Sequence, residues 1–419
     1  MAAPAAWAYS LLTHEQLIDL TWQGSIVPLL RSRYPLITEA ELKEARAYAY
    51  GGSAIQDIGY YPFGDTFFSE LTHYVRTGDF ISNLFREARN ANELAFAIGA
   101  LSHYIGDTVG HAEATNLAVP VEFPKLGAIY GPVVTYGQDE HAHVRTEFAF
   151  DINEIAHHRL APLSYLRRIG LRVPDAQLAV AFSDTYGLGD PFSKSRRHQI
   201  NARGYRFAVR SLLPRVAYAV TILHRGQMPS DSNSEEFLKM ASEAAKAESE
   251  NGWKDYRTKS GLLEYSLAGI IYILPKFGPL KLTAIKGPTT ATEEDYVRSV
   301  NRSTEALRLA LERFGGPKPG LENRDLDTGS MVSPGSYKLS DQTYADLLRR
   351  LAAAPNSPIP ASVKANVLAY YAGGESPVFE KMYPERWERI KTDLQVLQAM
   401  PVRPETNVLC RRQECSGRK

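Results

Sequence analysis

ALSHYIGDTVGHAEATN, residues 100–116, places His103, Asp107 and His111 four residues apart inside an otherwise apolar run. An α-helix turns about 100° per residue, so steps of four hold the three side chains within about 80° of one another on one face. Two imidazoles and a carboxylate aligned in this way form either a hydrogen-bonded polar seam or a metal site. Zinc takes these ligand types, and a carboxylate between two histidines can bridge two ions. Both readings require the stretch to be helical.

The rest of the chain follows the same period. Apolar residues recur at three- and four-residue intervals over 13–30, 39–50, 66–77, 90–112, 139–160, 203–225, 234–249, 292–314, 341–353, 361–372 and 379–398. No run alternates as a strand would, so the fold class is all-α, a multi-helix bundle. Breaks are expected at the Gly, Pro and Ser clusters GGSAIQ, MPSDSNSEE, FGGPKPGLENRDLDTGSMVSPGS and APNSPIP, the third long enough for a surface loop or hinge.

The 419 residues are 44% hydrophobic and 23% charged, with a net charge of +1, which excludes the strongly basic footprint of bulk nucleic-acid binding. No apolar run is long enough to span a membrane. The two cysteines, Cys410 and Cys415, lie in the last ten residues; they form either a small disulfide loop or a pair of free thiols, and without two further ligands they are no zinc site. The opening MAAPAAWAYS ends in Ala6-Trp7-Ala8, a small-x-small cleavage pattern. The expectation is a signal-peptide remnant over 1–8 and a mature chain that starts at Tyr9 and is secreted or periplasmic.

Eight of the ten histidines fall in the first 160 residues, which puts the chemistry there. In DEHAHVRTEFAFD, His143 and Glu147 share a helical face, whereas His141 points about 120° away from Glu147. Upstream, His14 stands in the first turn of a helix, Asp57 follows a Gly-rich break with Asp65 as its rival, and His73 lies on the next helix. His157 and His158, being adjacent, face different ways and are left out of the site.

With His14, Asp57, His73, His103, Asp107, His111, His143 and Glu147 in this order, residues 9–160 resemble the bacterial zinc-dependent phospholipase C family. That family shares its all-helical fold with single-strand-specific zinc nucleases. The resemblance implies up to three Zn2+ ions. Asp57, His73, His103 and Asp107 would hold one, and His111, His143 and Glu147 a second. A third would use His14, the bridging Asp107 and the backbone amino and carbonyl groups of Tyr9, where family members usually have Trp. Two departures stand out. Only three residues separate Asp107 from His111, against five in the best-known members, and about 30 lie between His111 and His143, expected as a loop over the site.

Clustered zinc lowers the pKa of water and stabilises the extra negative charge of a phosphodiester transition state. The resemblance therefore implies a hydrolase, with Asp57 as ligand, general base or both. Glu147, where the family's nucleases have Asp, leans towards a phospholipid substrate. The aromatic cluster Tyr60, Tyr61 and Phe63, continued by Phe67 and Phe68, is either core or a cage for a choline-type head group. The alternatives are a nuclease of the same fold, or a non-enzymatic helical protein held by structural metal or a polar seam. LLEYSLAGIIYILPKFGPLKL (262–282) reads as a buried helix and loop or as a segment touching a membrane surface, and SKSRRHQ (193–199) as a small basic patch. The expected division is a phospholipase-like helical domain over 9–225 and a helical extension of unknown role over 226–419.

Overall fold

The computed structural model describes residues 11–60, 64–189, 213–224, 226, 228–257, 287–313, 320–372 and 384–403. Tyr9, Tyr61, Phe63, the 193–199 patch, the 262–282 segment and both cysteines lie outside them. Among the described residues the regular structure is helical apart from one short parallel pair, Ile359–Pro360 with Val402–Arg403, and an isolated bridge between Arg324 and Met331, so the fold is all-α.

The helix Ala91–Gly110 runs through the centre. Asn90 caps it by accepting from Glu93 N (3.0 Å), and Glu93 in turn accepts from Arg89 N (2.7 Å). It is buried from Ala95 to Asp107, as expected of a helix apolar on every side. Against it lies Glu39–Ser53, started by a capping box between Thr38 and Glu41. This helix runs through Gly51 and Gly52 and ends at Ser53, within the expected GGSAIQ break. A Cβ on Gly52 would stand 2.0 Å from Phe96 O, one on Gly99 2.0 Å from Ala49 O, and one on Gly51 1.8 Å from Arg172 O. These glycines let backbones touch. The close approach brings Ser53 O within 2.9 Å of His103 Nδ1.

The helix Leu11–Thr21 is buried along its whole length. Its first turn is held by Asp151, which accepts from Leu12 N, Thr13 N and Thr13 Oγ1 at 3.1, 3.1 and 2.6 Å. Asp151 lies one turn beyond Glu147 on the helix Glu140–Ala156, so the face that carries His143 and Glu147 also anchors the helix that carries His14.

Sequence beyond 226 enters the same core. The helix Thr290–Arg313 packs on the central helix and on Leu11–Thr21; its Tyr296 stacks on Phe150 (4.6 Å) and places its hydroxyl 2.9 Å from Thr13 Oγ1. The main hydrophobic cluster extends from Leu11 to Met400.

Several helices lie outside the segments with clear apolar periodicity: Thr77–Glu87, Asn116–Glu122, Pro124–Tyr130, Leu163–Ile169 and Asp175–Tyr186. All but Thr77–Glu87 and Asp175–Tyr186 are seven residues long, too short for a clear apolar period. The stretch 314–336 also differs from the expected surface loop or hinge. In its described part Asp325, Leu326 and Asp327 are buried, because the loop's polar groups are met locally and by the core. Asp325 Oδ1 accepts from Thr328 N (2.8 Å), and Leu326 N donates to His73 O (3.0 Å).

Candidate metal centre

The central helix keeps His103, Asp107 and His111 on one face, and at His111 it widens into a π-turn, His111–Thr115, before continuing as Asn116–Glu122. Such turns recur at functional sites. Asp57 comes from the 3-10 turn Gln56–Gly59, His73 from the end of Thr66–Tyr74, and His143 with Glu147 from Glu140–Ala156. All eight side chains are buried and converge. His141 is exposed, and Asp65 caps the Thr66–Tyr74 helix instead of reaching the centre.

Four histidines are pinned by their outer nitrogen. The Nδ1 atoms of His73, His103 and His111 lie 2.8, 2.9 and 3.0 Å from Ser69 O, Ser53 O and Leu326 O. A carbonyl only accepts, so each Nδ1 carries the proton and each Nε2 presents its lone pair inward. His143 is held the other way round. Its Nε2 donates to Asn116 Oδ1 (2.9 Å), whose amide is oriented by Asn116 Nδ2 donating to Asp327 O (2.7 Å), and Nδ1 faces Glu147. Metal-binding histidines are oriented by this kind of outer hydrogen bond.

The inward atoms crowd together. His103 Nε2 and His73 Nε2 are 3.5 Å apart, and Asp107 Oδ2 lies 3.0 and 3.4 Å from them. Asp57 Oδ1 is 3.3 Å from His73 Nε2 and 3.9 Å from His103 Nε2. On the other side of Asp107, Oδ1 is 3.2 Å from His14 Nε2 and 3.9 Å from His111 Nε2, while the rings of His14 and His103 stack at 4.0 Å. Glu147 Oε1 stands 3.1 Å from both His111 Nε2 and His143 Nδ1. Among the described residues, none donates a hydrogen bond to Asp57 Oδ1, to either oxygen of Asp107 or Glu147, or to His143 Nδ1.

Lone pairs facing one another at these distances repel unless a proton or a cation lies between them. Zinc–nitrogen and zinc–oxygen bonds near 2.0–2.2 Å give a tetrahedron with edges of about 3.3–3.6 Å, close to the spacings found here. The donor set fits zinc in three groups: Asp57, His73 and His103; His14, His103 and Asp107; and His111, His143 and Glu147.

The electrostatics agree. Burial opposes charge on His73, but Asp107 and Asp57 beside it outweigh burial and raise its pKa to about 10. Burial is likewise overcome at His111, where Asp107 and Glu147 raise it to about 9. Asp107 is held well below the usual carboxylate range by His103 and His111 despite its burial, and Glu147 is lowered by His143 and His111 against the same opposition. Buried carboxylates here demand positive charge.

A fourth cluster, His157, Asp231 and Glu293, already has its cation. Arg159 sits among these groups, 3.1 Å from Glu293 Oε1, paired with Asp231 and bonded to Glu154 Oε1 at 2.6 Å. His157 Nδ1 donates to Asn153 O (2.9 Å).

Of the aromatic cluster, Tyr60 lies at the centre, its ring 5.4 Å from His73. Phe68 is core, stacked on Phe182 (5.3 Å), and Phe67 lies under the Arg350 guanidinium (3.7 Å). Residues that sequence reasoning missed are Tyr136, with its ring 5.7 Å from His143 and 6.4 Å from Tyr60, together with Asn116, Leu326 and Asp327. Asp327 accepts from Tyr74 OH (2.9 Å) and from Tyr337 OH, with Oδ1 3.8 Å from His111 Nδ1. A leucine between two acids inside a long polar loop is the one sign of burial there.

Among known proteins, residues 13–188 match the family model described as zinc dependent phospholipase C, and all eight convergent residues lie within that span. No curated protein and no solved structure gives a significant match. Asp327, Tyr337 and Tyr296 lie beyond the matched residues. The match over residues 13–188 supports the resemblance to the zinc-dependent phospholipase C family, a family of hydrolases.

Proposed function

We propose that this chain is a zinc-dependent phosphodiesterase that releases phospholipid head groups, a phospholipase C. The observation that carries the reading is the convergence of buried donor clusters on either side of Asp107, within a segment that matches this family's model. In this reading Asp57, His73, His103 and Asp107 hold one ion, and His111, His143 and Glu147 a second. His14, Asp107 and the amino-terminal residue hold a third. Bound zinc supplies Lewis acidity for the phosphoryl oxygens and makes water acidic enough to attack at neutral pH.

The chain's own groups do the rest. Asp57 is buried on a short turn and accepts a proton from the attacking water at a carboxylate oxygen. The Ser53, Ser69 and Leu326 carbonyls keep the histidine lone pairs aimed inward. Tyr60 and Tyr136 offer ring faces to a cationic head group. Tyr9 stands five residues before His14, so processing after Ala8 and export to the periplasm or medium belong to this proposal. Amino-terminal sequencing of the exported protein tests that part.

The decisive experiment is a parallel assay of the zinc-loaded protein on phosphatidylcholine and on single-stranded DNA, with and without chelator. Chelator-sensitive release of phosphocholine is expected. Hydrolysis of DNA alone would make the chain a nuclease, and loss of neither activity on chelation would overturn the zinc mechanism.

A further inference from the structure

The helix Pro124–Tyr130, PKLGAIY, is largely apolar yet buries none of its residues. It folds back on Asn116–Glu122, with Gly127 close enough to Pro120 that a Cβ would lie 3.1 Å from its ring. The hairpin has its own small core of Val119, Val134 and Ala142, with Phe123 and Leu126 packed on it, separate from the main cluster. Its outer side carries Val121, Ile129, Tyr130 and Val133, all exposed, Ile129 to 69%. These are four of the large apolar side chains most open to water in the described residues, gathered within thirteen positions. From Phe123 to Gln138 the sequence has one ionic residue, Lys125, which is exposed one helical turn before Ile129.

This tip is built into the rim of the metal centre. Asn116, at the start of the hairpin, holds His143, and Val134 N donates to Asn116 O (2.9 Å). Tyr136 follows two residues later with its ring against His143. Whatever covers the apolar tip therefore sits beside the ligand cluster. A stable protein partner needs about 800 Å² on each side, more than four side chains provide. A short apolar tip with a lysine at its base, by contrast, matches the boundary between acyl chains and head groups, where the ammonium stays in the polar layer.

We propose that residues 121–133 dock on a phospholipid surface, with Val121, Ile129, Tyr130 and Val133 among the acyl chains and Lys125 at the phosphates. This rests on the phospholipase C reading, since it names the physical form in which the substrate reaches the site.

The test compares the zinc-loaded wild type with the double variant Ile129→Ser/Val133→Ser. It measures co-sedimentation with phosphatidylcholine vesicles and hydrolysis of those vesicles. A third measurement is hydrolysis of a short-chain phosphatidylcholine below its micelle concentration. Vesicle binding and vesicle hydrolysis should each fall about tenfold or more, from the lost methylene burial, with the monomeric substrate cleaved as before. Vesicle binding equal to wild type, or a wild type that does not bind vesicles, overturns the docking surface. A wild type that binds vesicles but cleaves neither lipid overturns the phospholipase reading instead. As a second variant, Ile129→Trp should shift its emission to the blue on adding vesicles, and an unshifted spectrum counts against insertion.

Discussion

Replacing Asn116 by leucine removes one acceptor and one donor at nearly constant volume. In the native chain Asn116 Oδ1 accepts from His143 Nε2 over 2.9 Å and Nδ2 donates to Asp327 O over 2.7 Å, both buried. Without that acceptor, His143 loses the bond that selects its tautomer and leaves Nδ1 bare towards Glu147. Loss of such an outer partner lowers metal affinity about 10- to 100-fold, or about 1.4–2.7 kcal/mol. The two groups left unpaired each cost about 1–3 kcal/mol of folding stability. Titration of zinc into chelator-stripped protein against a chromogenic competitor separates the effects. Zinc at the proposed site of His111, His143 and Glu147 should bind more weakly by one to two decades, and zinc at the proposed sites around Asp107 should keep its affinity. Unchanged affinity at every site would refute the role assigned to Asn116, and equal weakening at all sites would show general loosening instead.

Gly99→Ala drives a methyl to 2.0 Å from Ala49 O, against backbone that cannot yield, and should cost about 3 kcal/mol or more in urea unfolding; a cost below about 1 kcal/mol would disprove the close packing. Arg46→Ala leaves Asp19 buried without its cation, with Tyr50 its remaining partner. A loss of about 3–5 kcal/mol is expected in the same assay, and a neutral result would show that the pair is dispensable. In zinc-free protein His73 and His111 are raised to about 10 and about 9, against about 6.5 unfolded. Their stabilisation is therefore complete below about pH 6.5, declines above it and is gone past about pH 10. The Tm of chelated protein should be lower at pH 9.5 than at pH 6.5, whereas a flat or rising Tm contradicts the assignment.

The part of the centre visible in the sequence is the part written in side-chain spacing. His103, Asp107 and His111, like His143 and Glu147, recur at intervals of four, and a helix turns that interval into a shared face. Their order with His14, Asp57 and His73 carries the family resemblance. What stayed hidden is what backbone atoms and remote loops supply. Ser53 O, Ser69 O and Leu326 O orient three imidazoles, and a carbonyl leaves no mark on residue type. Leu326 is 215 residues from His111 and lies in a stretch whose glycines and prolines read as a surface loop. Gly51 and Gly52 open the GGSAIQ break, where the helix does end, yet both still lie inside it. A glycine that lets two helices touch has the same letter as one that ends a helix, and only the neighbouring backbone distinguishes them. The π-turn that starts at His111 likewise has no sequence signature.

The central claim is that Asp107 is shared between ions while Glu147 serves a separate one. Zinc content per chain, measured by elemental analysis on wild type and on Asp107→Asn, tests it most directly. Asp107 stands 3.0–3.4 Å from nitrogens of His14, His73 and His103, so its loss should empty both neighbouring positions and leave about one zinc, held by His111, His143 and Glu147. Equal zinc in the two proteins, or a wild type that takes up none, would contradict it.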